Sequence, residues 1–112
     1  MPQPIVTVIH HRALGALVRL HISDAIPLDL TCQEASILTR ALTAVRDGKS
    51  IEREIFMSPV ASDDSFCGTV IEEGLLLTCG TQTQMLDWTG VSLLAENLAA
   101  AALKASANPP PE

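Results

Sequence analysis

The sequence predicts a two-layer α+β domain, on three observations. Short, β-branched or alternating stretches recur along the chain, and two longer stretches of helical period each follow such a strand-rich segment. Short turn signals link neighbouring strands, so the pairing should be mainly antiparallel. The expectation is a sheet of five or six strands with two helices on one face, in the order ββ(β)α-ββ(ββ)α. The alternative is a sheet divided between two protomers.

Each element has its own signal. Pro4 to His11 (PIVTVIHH) is rich in β-branched residues, and Ala16 to Ser23 alternates Val18, Leu20 and Ile22 with Arg19, His21 and Ser23. Arg12 to Gly15 would turn between them. In DAIPLDL, Pro27 bars a central strand and suggests an edge segment. Thr31 then offers an N-cap and Glu34, three residues on, the return bond of a capping box. Ala35, Leu38, Leu42 and Val45 form one stripe, and Gly48 suits the position after the helix. This predicts a helix over about 32–47.

Residues 51–57 (IEREIFM) read as a strand and 58–65 as a long polar loop. Two further strands, FCGTVIE and LLLTC, flank a tight turn at Glu73-Gly74, and TQTQML can add another. A second helix is expected over about 90–106, with Val91, Leu94, Leu98, Ala101 and Ala105 on one stripe. The chain thus forms one domain over 1–107, with a Pro-rich tail over 108–112.

Leu28-Asp29-Leu30-Thr31 and Leu86-Asp87-Trp88-Thr89 both precede helices, with the threonines 89 − 31 = 58 positions apart. Only the first is followed by the glutamate of a capping box. Two helix entrances explain the likeness, with a pseudo-duplicated layout as the alternative.

Composition bounds the function. The 112 residues are 47% hydrophobic and only 3% aromatic, so Leu, Ile, Val and Ala must build the core. No uncharged apolar run approaches the ~18 residues that span a bilayer, and no basic region precedes the first apolar run as in a secretory signal. Three cysteines without CxxC spacing argue against a disulfide framework or zinc cage and for a cytoplasmic location. The net charge of −6 is uneven: residues 1–56 carry six basic and six acidic side chains, whereas 57–112 carry Lys104 against seven acids. With neither a basic stripe nor stacking aromatics, direct nucleic-acid binding is not expected. An acidic second half favours a partner with a basic surface.

Motif chemistry is sparse. His10 and His11 point to opposite faces of a regular strand, and His21 would pair too far along to share an ion, so no metal is expected. There is no phosphate-binding glycine loop and no calcium loop, and no cofactor is implied. Cys32 in the first turn of a helix, or Cys79 before Gly80, could serve a cysteine-dependent enzyme, though no local signature of one is present. Asp63 and Asp64 in the long loop, Glu72 and Glu73 at the hairpin, and the single tryptophan, Trp88, are the candidate partner-binding residues. The second helix has few charges, so Leu93, Leu94, Leu98 and Leu103 are candidates for a homodimer interface.

The function expected from these features is a small acidic cytosolic protein-binding module without enzymatic activity. It would be an adaptor, escort chaperone or inhibitor of a larger complex, acting as a homodimer. The alternatives are a cysteine-dependent enzyme using Cys32 or Cys79, and a structural subunit of a larger homo-oligomer.

Overall fold

The computed structural model describes residues 4–22, 27–62, 65–79 and 82–107. Among them the chain runs β1 (Ile5–His11), β2 (Gly15–His21), β3 (Leu28–Leu30), α1 (Cys32–Arg46), β4 (Glu54–Met57), β5 (Phe66–Ile71), β6 (Gly74–Cys79), β7 (Gln82–Asp87) and α2 (Trp88–Ala107). The fold is α+β, as expected, but the strands form two antiparallel sheets rather than one. One holds β1-β2-β3 and the other β4-β5-β6-β7, each in sequential order. The two helices pack against each other and touch strands of both sheets.

Sheet registers follow the side-chain pattern. Val18 and Leu20 of β2 stand opposite Val8 and Val6 of β1 and opposite Leu30 and Leu28 of β3, and this row faces the core. The turn after β1 is held by His11, whose Nδ1 accepts the backbone N–H groups of Ala13 at 3.0 Å and Leu14 at 3.2 Å. Gly15 leaves that turn at φ 79°, a left-handed conformation suited to glycine. On the outer face Arg19 and Asp29 are cross-strand partners, and the guanidinium donates to both carboxylate oxygens, Nε to Oδ1 at 2.8 Å. That bond holds the Arg19 pKa above its already high ordinary value.

Helix α1 starts as the sequence dictates. Thr31 Oγ1 accepts the Glu34 N–H, Glu34 Oε1 accepts the Thr31 N–H, and Ala35, Leu38, Leu42 and Val45 are buried. Helix α2 begins two residues earlier than expected, because Asp87 Oδ1 accepts the Gly90 N–H at 2.7 Å and caps it. Its buried side carries Val91, Leu94, Ala95, Leu98, Ala101, Ala102 and Ala105. Leu93, Glu96, Asn97, Ala99, Ala100, Leu103 and Lys104 remain on an exposed arc.

Two sequence boundaries shift. The fourth strand covers only 54–57, and Ile51, expected within it, lies outside it and is almost fully exposed. In the β5–β6 hairpin Ile71 pairs with Gly74, so Glu72 and Glu73 form the turn and Gly74 opens the next strand. A Cβ on Gly74 would collide with the Leu86 carbonyl oxygen on β7, so glycine is needed for that close approach rather than for the turn itself. The tail expected over 108–112 lies outside the described residues.

Among the described residues, one hydrophobic cluster joins both sheets and both helices. Leu20, Leu30, Leu38, Phe66, Leu77 and Leu98 all belong to it and are buried to 1% or less. No helix among the described residues is long and apolar enough to cross a membrane.

Candidate functional site

At one end of the four-stranded sheet, the β5–β6 turn meets the start of α2. The Trp88 indole N–H donates to the Glu72 carbonyl oxygen at 3.1 Å, while its ring packs partly into the core. Antiparallel pairing of Gly74 with Asp87 brings the two chain segments side by side. Glu72 and Glu73 are therefore exposed on a turn that the neighbouring helix entrance holds in place. Neither carboxylate belongs to a salt bridge among the described residues. Asp87 adds a third exposed acid, engaged in capping α2. Three of the sequence-predicted partner-binding residues, Glu72, Glu73 and Trp88, thus share one corner, and Trp88 acts there as a strut. The other two, Asp63 and Asp64, lie outside the described residues.

The residues named for a dimer interface separate into two groups. Leu94 and Leu98 are fully buried beneath α2 in the chain's own core, which leaves them no surface to offer a second copy. Leu93 is 44% exposed and Leu103 72%. Sequence period had placed Leu94 and Leu98 on one stripe with Val91, Ala101 and Ala105, and the structure buries all five, so these two leucines belong to the chain's own core.

The cysteines occupy three different environments. Cys79 faces the core and is 1% exposed. Cys67 lies on the solvent side of β5, where its thiol donates to Glu54 Oε1 at 3.4 Å. Burial and then the Glu54 carboxylate push its pKa up, which favours the unreactive thiol. Cys32 is half-buried and borders an open groove of about 550 Å³ between the helices, with Ser36, Thr39, Arg40, Ala102 and Leu103.

His21 pairs with Ile5, five positions along β1 from His10, a separation of ~17 Å. No group of three or more His, Cys, Asp or Glu residues among the described residues is arranged to hold a metal ion.

Sequence reasoning missed a second cleft, of about 590 Å³, between β1 and α2. Val6, Val8 and His10 line one wall, and Asn97, Ala100 and Lys104 the other. The alanine run of α2 was its signal, since Ala100 and Ala101 leave room that longer side chains would fill.

Geometry defines the class: an α+β domain in which two packed helices serve two antiparallel sheets, with an acidic corner and two open clefts. Comparison of the chain with protein-family models, curated proteins and solved structures found no match.

Proposed function

We propose that the protein is a small acidic protein-binding module of the cytoplasm, without enzymatic activity, that takes a basic partner surface and acts as a homodimer. In this reading it is an adaptor, escort chaperone or inhibitor of a larger complex. The supporting observation is the corner where Trp88 fixes the Glu72–Glu73 turn. Two exposed carboxylates without a salt bridge among the described residues, on a braced turn, attract cations at little cost in ordering. Their position in the acidic half of the chain adds long-range attraction, which steers a basic partner before contact.

Reversing charge at Glu72 and Glu73, alone and together with Asp63 and Asp64, should reduce the yield of partners captured from native lysate on the immobilised chain. What remains bound should lose its dependence on salt. Equal yield and equal salt dependence across the mutant set would overturn the reading.

A second reading has one observation in its favour: Cys32 borders an open groove that also holds Arg40. A cysteine-dependent enzyme would use Cys32 there as nucleophile; Cys79, buried in the core, has no access to a substrate. Alkylation of Cys32 followed against pH separates the readings, because an ordinary thiol profile sinks the enzyme.

A further inference from the structure

We propose that the cleft between β1 and α2 is where a second copy of this chain docks. The two copies would pair β1 with β1 and α2 with α2, both antiparallel, about one two-fold axis. The inference rests on the homodimer part of the reading above and is independent of the acidic corner.

The first argument is the state of the sheet edges. The outer edge of β3 is engaged: the Asp29 N–H donates to Ser62 Oγ at 2.6 Å, and that hydroxyl donates to the Asp29 carbonyl oxygen at 3.3 Å. At the opposite edge, β1 runs seven residues, pairs only with β2, and has no backbone partner on its other side among the described residues. It carries no proline, lysine or carboxylate, the devices that keep free edges from pairing. Such a row of N–H and C=O groups is a template for another strand.

The second argument is self-complementarity. A two-fold interface places each residue against the counterpart reflected through its centre. Centred on Val8, β1 opposes Val8 with itself, Val6 with His10, Thr7 with Ile9, and Ile5 with His11. No acid or base meets its like, and Ile5, 61% exposed, gains a neighbour. On α2 the same operation centred on Ala100 opposes Glu96 with Lys104, twice. These residues lie four before and four after Ala100 on the exposed arc, and neither is in a salt bridge among the described residues. Arg46 of α1 feels the field of Glu96 but bonds Asp47. Alanine at the centre lets the helices approach closely.

The third argument is that both centres belong to one place. Val8 and Ala100 line the same cleft, midway among its other residues on each wall. Helix α2 lies against β1 and β2 alike. With strands ~4.8 Å apart, a helix placed midway above β1 and β2 stands ~5 Å from an axis at the β1 edge. Its symmetry mate is then ~10 Å away, within the 8–10 Å at which helices pack. The product is a continuous six-stranded sheet, two copies of β1-β2-β3, covered by an antiparallel helix pair.

Sedimentation equilibrium on the full chain tests this. Glu96→Lys and Lys104→Glu, each alone, place like charges across the axis twice and should weaken dimerisation by about tenfold or more. The double exchange should restore it, and a merely structural defect would not be rescued this way. Ala100→Cys should give an intermolecular disulfide under mild oxidation that no substitution at Leu93 reproduces, because only the central residue meets its own counterpart. A chain monomeric at all concentrations overturns both this inference and the homodimer reading. A dimer indifferent to the three charge variants, or cross-linked through Leu93→Cys and not Ala100→Cys, overturns this interface and leaves the homodimer reading standing.

Discussion

The Cys67 thiol shows how one residue's chemistry depends on its face of a strand. On β5, Phe66 and Gly68 turn inward, so Cys67 turns outward beside Glu54 on β4, near enough to bond it. Loss of hydration disfavours the thiolate first, and the adjacent carboxylate adds to it by hydrogen bonding and repulsion. The folded-state pKa is thus raised. The resulting stability is fully present below the unfolded thiol's pKa and is lost as pH rises through the folded one. Alkylation of Cys67 should accordingly need a higher pH than a free thiol does. Glu54→Gln should move the midpoint down without reaching the free-thiol value, because burial remains. A midpoint unmoved by Glu54→Gln would mean that burial alone acts. The sequence did not disclose the Glu54 partner, since the register of two strands joined by an eight-residue connection is not written in either one. His11 is similar: its place on a strand was legible, whereas its service as acceptor to the Ala13 and Leu14 N–H groups needed the turn.

Capping residues were the most legible feature among the elements, because capping is local. Thr31 and Glu34 close their box as the spacing requires. The second Leu-Asp site works differently: Asp87 caps α2, and Trp88 and Thr89 enter the helix. The two likenesses are helix entrances served by different residues. What could not be read is that Glu34 does a second task, its Oε2 accepting the Val60 N–H at 3.1 Å and tying down the β4–β5 connection. Thr31→Ala should cost about 1 kcal/mol, the usual worth of an N-cap. Glu34→Ala should cost as much or more, and hydrogen exchange at Val60 and Ser62 should quicken only in that variant. Equal exchange in both variants would mean that the Glu34–Val60 bond does not hold the connection.

For the whole molecule, the expected single sheet divides because side-chain period specifies faces and says nothing of which edges meet. Val18, Leu20 and Ile22 were legible as one face of a strand, yet such a pattern fits one sheet as well as sheets of three and four strands. What decides is tertiary: Ser62 engages the outer edge of β3, and α1 and α2 lie together against both sheets. The sheets therefore share one core through the helices instead of through strand pairing, and neither can lose its packing alone. This makes cooperative unfolding the expected behaviour, with Trp88 fluorescence reporting one end and far-ultraviolet dichroism the whole. Leu98 is fully buried in the shared cluster, in the middle of α2. Leu98→Ala should cost about 2–5 kcal/mol, as for other buried leucines, and should lower both transitions together by the same amount. If the chain instead held two separately stable halves, the fluorescence and dichroism midpoints would part in that variant, and the shared core would not be the unit that folds.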